Sequence, residues 1–183
     1  RSVLNFLSAL CLGLSVVLFG QSAWIFAKAQ VAQVLLERAF AHAIVTGEPV
    51  KAWSWADTWP VARLEISRIQ ASAIVLHGGS GEALAFGPAL LNETAVIGER
   101  GTAVVSAHRD THFAFLKDVV VGDLISITRD DGLVFTYRVT GTSIVDWNTS
   151  GIDRHASGFN LVLATCYPFD AITSGSQRYL VHA

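Results

Sequence analysis

Hydrophobic positions fall into two patterns along this chain, a long unbroken run at the front and short alternating runs behind it. From Ser2 to Ala27 there are 26 residues without a formal charge, bracketed by Arg1 and Lys28. At about 1.5 Å per residue such a helix reaches roughly 39 Å, against about 30 Å for the hydrocarbon core of a bilayer. A cleaved export signal has a shorter apolar region, about 7–15 residues, and closes on a small-residue cleavage site. Here the run is longer, and Lys28 to Ala43 continues at helical spacing through Val31, Val34, Leu35, Arg38 and His42. The pattern predicts a retained transmembrane helix and its extension over residues 1–43, with residues 2–27 in contact with lipid. A buried core helix is the weaker reading, because no other helix in the sequence covers it.

Residues 44–60 read as a linker, Thr46-Gly47-Glu48-Pro49 followed by three tryptophans in seven residues, Trp53, Trp55 and Trp59. Such a cluster serves as an interfacial aromatic belt, a binding surface or a flap packed on a domain, and the sequence leaves these open.

From Val61 to the end, residues 61–183, the period changes to two. Eight short apolar or alternating runs predict strands: 62–66, 72–76, 101–107, 123–128, 133–139, 143–147, 160–165 and 177–182. Turn clusters separate them, among them His77-Gly78-Gly79-Ser80-Gly81, Thr149-Ser150-Gly151 and Ser174-Gly175. Asp130-Asp131-Gly132 between two alternating runs is a hairpin signal. The fold class is mainly β, a barrel or sandwich with brief helices behind an N-terminal transmembrane helix.

Composition changes this picture only by locating its excess. Hydrophobic residues make up 51% of the chain and charged ones 15%, against about a quarter charged in an ordinary domain. The surplus sits in residues 2–27. Residues 44–183 hold 10 Lys+Arg and 14 Asp+Glu, an ordinary mildly acidic domain of net charge −4. That balance excludes the basic footprint of a nucleic-acid binder, and the apolar fraction excludes disorder. Two cysteines cannot make a disulfide framework.

Candidate chemistry centres on Cys166. It ends an apolar strand and is followed by Tyr167-Pro168, which stops the ladder and brings the side chain to the rim. Cys11, inside the apolar run, reads as filler. Arg178 lies twelve residues on, past a glycine-containing turn, and comes beside Cys166 if the two strands form a hairpin. His108 ends another strand. A thiol needs a base or a cation beside it to act as a nucleophile, and acyl transfer needs charge at the oxyanion. Cys166, His108 and Arg178 supply those parts.

The residues around them resemble those of a sortase: Thr165-Cys166-Tyr167-Pro168, Arg178 a dozen residues later, and His108 in Ser106-Ala107-His108-Arg109-Asp110. Phe86-Gly87-Pro88 followed by the run from Gly101 to Phe113 is similar to that family's approach to its catalytic histidine. The likeness runs from about Val61 to the C-terminus. It implies an eight-stranded β-barrel and a membrane-anchored cysteine transpeptidase, most similar to the single-copy Gram-negative type. It also implies an inner-membrane location with the catalytic domain on the periplasmic side; the basic residues flanking the span do not orient it alone. By the resemblance, Cys166 attacks a Leu-Pro-x-Thr-Gly-like sorting motif of a protein substrate. Arg178 stabilises the oxyanion or holds the peptide, His108 protonates the leaving amine, and an amine acceptor or water resolves the thioacyl enzyme. Thr165 and Asp110 are supporting residues, Asp110 either orienting His108 or facing solvent. No cofactor, metal or nucleic acid is implied.

Three other readings compete. His108 and His112, four apart, would share a helix face as zinc ligands do, but Arg-Asp-Thr between them lacks the H-E-x-x-H glutamate and no third ligand is obvious. His77-Gly78-Gly79-Ser80 is reminiscent of an esterase oxyanion loop, without a G-x-S-x-G elbow anywhere. The third is a membrane-anchored, non-enzymatic β-domain that binds a partner, with Cys166 a buried thiol.

Overall fold

With no proline before Pro49 to interrupt it, the front of the chain winds into one helix, α1 (Ser2–Thr46), which closes on Gly47 at φ 70°. There the Gly47 amide donates to the Ala43 carbonyl, a left-handed stop that glycine adopts without strain. The computed structural model describes residues 2–171, 173 and 175–183; Arg1 and Ser174, which the sequence places beside the apolar run and in the last turn, lie outside the described residues. Through its first half α1 exposes large apolar side chains such as Phe19 and Phe26, and by length and composition it suffices to cross a membrane.

Its second half behaves differently. Ala32, Leu36, Ala39, Phe40 and Ala43 are buried, a stripe at i, i+4, i+7, i+8 and i+11 that lies along one helix face. Leu36 and Phe40 pack with Ile74 and Leu76 of β2 (Ala71–His77), Ala83 of α2 (Gly81–Phe86) and Ala89 of β3 (Ala89–Leu90). Arg63 of β1 (Pro60–Ile66) pairs with Glu37 and lies over the Phe40 ring, while Gln33 donates to the Phe86 carbonyl. Val31 and Val34, at helical spacing in the sequence, stay exposed, because the stripe that docks is one of smaller residues around Leu36 and Phe40.

The tryptophan linker divides. Trp53 meets Phe86 edge-on and donates to Glu82, and Trp59 stacks on His77 at 4.1 Å, so two of the three are packed on the domain. Trp55 points outward.

Behind the linker all eight expected strands are present: β1, β2, β4 (Gly101–Ser106), β5 (Leu124–Arg129), β6 (Val134–Arg138), β7 (Gly141–Asp146), β8 (Phe159–Cys166) and β9 (Gln177–His182). The two-residue β3 makes a ninth. They form one curled sheet in the order β6-β5-β1-β2-β3-β4-β8-β9-β7, the mainly β class that the sequence implies. The β5–β6 hairpin turns at Gly132, φ 80°, with the Asp131 carboxylate accepting from Leu133 N.

What positions the functional residues is the alternation within β4, β8 and β9. Side chains point to opposite faces with a period of two. Ala103, Val105, Leu161, Leu163 and Val181 enter the main core with Leu64, Ile127 and Phe113. Val104, Val162, Ala164 and Leu180 take the other face, where Leu91, Val145 and Ile152 pack on them.

Candidate active site

Strand register brings the three sequence candidates to one row. β8 and β9 pair antiparallel with Cys166 opposite Arg178. Leu161 and Ala183 exchange both backbone hydrogen bonds, so hydrogen-bonded pairs fall at the odd positions of β8, and the Tyr167 amide donates to Gln177 in the same phase. Cys166 and Arg178 are therefore a non-hydrogen-bonded pair, the kind whose side chains stand closest, with Cα atoms about 4.5 Å apart. On the other side β4 runs parallel to β8 with Ser106 beside Ala164. The ladder persists one residue further, Ala107 N donating to Ala164 O. β4 ends at Ser106, and His108 follows two residues later, in the loop that leaves β4 next to the Cys166 end of β8.

The row lies on the face of the second cluster, at the end where Ala164 and Leu180 stop covering it. His108 is exposed, and Cys166 and Arg178 are half-buried. Arg178 spends Nη1 on the carbonyls of Gly175 and Gln177. Among the described residues its Nε and Nη2 have no acceptor, which leaves the planar fork free on two edges.

The neighbouring residues hold this row from behind. Thr165 is buried on the opposite face and donates its hydroxyl to the Ala107 carbonyl at 2.7 Å, tying the histidine end of β4 to the cysteine end of β8. Phe113, fully buried, donates its amide to the His108 carbonyl. Arg109 reaches from beside His108 to the carbonyls of Ala171 and Thr173 in the connection between β8 and β9. Tyr167, Phe169 and Tyr179 form a mutual aromatic cluster under that connection, and Phe169 joins the main core.

Sequence reasoning singled out Cys166, His108, Arg178 and Thr165: Cys166 and Arg178 are paired across β8 and β9, His108 follows the end of β4 in a loop, and Thr165 faces the opposite side of the sheet. Asp110 is exposed, and among the described residues it has no hydrogen bond to His108. It did not single out Arg109 or the aromatic cluster. Arg109 sits inside the quoted motif, yet an arginine beside a histidine has no spacing signature that says where it will reach.

Residues 107–113 form a loop, not a helix, so His108 and His112 do not share a helix face. Burial holds the half-buried His112 imidazole below the usual histidine range; a hydrogen bond to the Ala85 backbone opposes this and the charge of nearby His108 adds to it. Among the described residues no three metal-ligating side chains come together. In the glycine-rich turn, Ser80 caps α2, its hydroxyl accepting from Ala83 N, which accounts for the serine without hydrolase chemistry.

Comparison with known proteins bears on this geometry. A family model described as Sortase domain matches residues 64–183. Sortase D of Bacillus subtilis (strain 168) is 32% identical over 120 residues, covering 65% of this chain and 60% of that protein. The chain thus spans less than two thirds of that curated relative's length. Among solved structures, sortase C-1 of Actinomyces oris is 27% identical with TM-score 0.60, covering 67% of this chain and 72% of that one. A Clostridium perfringens sortase D5 transpeptidase, at 19% identity, shares the fold over 84% of this chain and 97% of its own, with TM-score 0.65.

Proposed function

The chain belongs to the sortase family, and on that premise we propose that it is a membrane-anchored cysteine transpeptidase acting on protein sorting signals. The observation that supports the reading is Cys166 paired with Arg178 across β8 and β9, with His108 two residues past the end of β4, the strand that runs parallel to β8.

The chemistry follows from those positions. The Cys166 sulfur, as thiolate, adds to the Thr–Gly carbonyl carbon of a Leu-Pro-x-Thr-Gly-like motif. The carbonyl oxygen takes the negative charge, and the free Nε and Nη2 of Arg178 stabilise it. As the tetrahedral intermediate collapses, the C–N bond breaks and protonated His108 gives its proton to the leaving glycine amine. A thioester remains. An acceptor amine then attacks the same carbon, His108 takes its proton, and the C–S bond breaks to release an amide and the thiolate; water in place of the amine gives hydrolysis. Thr165 supports the reaction by holding the end of β4 against β8. Asp110 faces solvent in this reading.

Leu91 and Ile152, which flank the face bearing the row, belong to the stretches 84–91 and 146–159, the walls expected to select the motif. Residues 2–27 seat the chain in the inner membrane with the catalytic domain on the periplasmic side, as in the single-copy Gram-negative type. The long exposed apolar half of α1 supports that seat.

Cys166→Ala tests the reading. A purified full chain in detergent should cleave a fluorogenic peptide carrying the motif and accumulate a thioester-linked adduct, both lost in the variant at unchanged melting temperature. Retained turnover in Cys166→Ala, or a Cys166 that iodoacetamide never reaches in the folded protein, leaves the non-enzymatic binding domain as the answer.

A further inference from the structure

His108 stands at the end of its strand, so something beyond the ladder must hold it. Three tethers surround it. Thr165 fixes the carbonyl of the residue before it, Phe113 fixes its own carbonyl, and Arg109 carries the residue after it to the β8–β9 connection. The first two tie the histidine to β8 and to the core. Only the third ties it to the segment that leaves Cys166 and returns to Arg178.

We propose that Arg109 is a positioning residue for the transfer reaction: its guanidinium clamps the Cys166–Arg178 connection to the His108 loop and so sets the imidazole against the thiol. The inference rests on the transpeptidase reading. The geometry favours it over simple loop support in two ways. Arg109 Nη2 donates to two carbonyls of that connection, Ala171 and Thr173, so one guanidinium nitrogen holds two points of the segment at once. The two bonded segments are also the only covalent neighbours of the row on that side: Arg109 is bonded to His108, and residues 167–176 join Cys166 to β9. Loosening the clamp changes the separation of thiol and imidazole without removing either. Nη1 of the same guanidinium is buried without an acceptor among the described residues, so this arginine is held in a place where it is not fully satisfied.

The experiment uses the full chain in detergent and compares Arg109→Met, Arg109→Lys, His108→Ala and the double variant of Arg109→Met with His108→Ala. Two things are read: kcat and KM on the motif peptide, and the pH dependence of Cys166 alkylation by iodoacetamide. Arg109→Met should lower kcat roughly ten- to a hundredfold with KM changed less, as a displacement of reacting groups by about 1 Å does. It should also move the alkylation profile in the same direction as His108→Ala and add nothing in the double variant. Arg109→Lys, which keeps the charge and N–H donors on a single nitrogen, should recover part of kcat. Melting curves check that each variant is folded. If Arg109→Met lowers the melting temperature but leaves the alkylation profile and kcat of the folded protein as they were, Arg109 only supports the loop and the proposal fails. If His108→Ala itself leaves the profile unchanged, the transpeptidase site fails and the Arg109 proposal with it.

Discussion

The rim of β4, β8 and β9 and the docked half of α1 are both held to the same sheet, but by different means. At the rim the candidate residues are set by backbone pairing: Cys166 stands opposite Arg178 because β8 and β9 pair antiparallel, and His108 lies two residues past the end of β4, which runs parallel to β8. At the helix, position is set by side-chain packing, Leu36 and Phe40 against Ile74, Leu76 and Ala83. Register is set by the alternating pattern and tolerates changes of volume within it, whereas packing depends on that volume directly. In the proposed function, chemistry would rest on the first kind of support and attachment on the second.

Substitutions test that division from either side. The largest effect is expected at the helix. Phe40→Ala should cost about 3–5 kcal/mol of stability, as removal of a buried aromatic ring does. Denaturant melts measure that loss, and the row should survive it: below the melting temperature, Cys166 alkylation and kcat should match the parent. A large fall in kcat of the folded variant would mean that the two supports are coupled.

At the rim, Arg178→Lys should reduce kcat/KM about a hundredfold, roughly 2.7 kcal/mol in transition-state energy, with little change in melting temperature. A lysine presents a point charge where the fork has two free edges. Unchanged turnover would take Arg178 out of the oxyanion role.

Thr165→Val lies between the two kinds of support. It keeps volume and the strand but removes the 2.7 Å bond to Ala107, which should lower stability by about 1–2 kcal/mol. A fall in kcat larger than the fall seen at a buried residue of the helix stripe would place Thr165 with the rim.

The smallest effect is a pH dependence. Burial favours the neutral His112 imidazole, so the folded chain binds fewer protons here than the unfolded one. That contribution is complete above the ordinary value of 6.5 and is lost as pH falls below it. Asp123, held low by its hydrogen bond to Arg68, loses its contribution only in more acid solution, below 3.8. Melting temperatures of His112→Gln and its parent between pH 7 and 5 should converge as pH falls. Parallel curves would mean that His112 titrates alike in both states.

How much of this was legible in the sequence differs in the same way. The eight strands announced themselves by period and by β-branched residues, and Pro168 marked Cys166 as a strand end. The two-residue β3 has no period to read. That Arg178 would face Cys166 needed a hairpin, which spacing permits without deciding the phase of its hydrogen bonds; Leu161 and Ala183 decide it. The docked stripe of α1 was not legible, since Val31, Val34 and Leu35 are as apolar as Leu36 and Phe40 and draw the eye to another face, and Ala32 or Ala39 carries no mark of burial. The split of the tryptophans was equally hidden, because it depends on Phe86, Glu82 and His77 arriving from elsewhere in the chain.

One consequence of the docked helix concerns reach. α1 passes from its exposed turns to its packed ones without a break, so no joint separates the proposed membrane seat from the domain. Leu36 stands nine residues beyond Ala27, about 14 Å along the axis. A flexible tether would let a catalytic domain sweep a hemisphere; if residues 2–27 are seated in lipid as proposed, a continuous helix of this length would instead hold the domain near one height. Encounter with a substrate that is itself in the bilayer would then be a search in two dimensions rather than three.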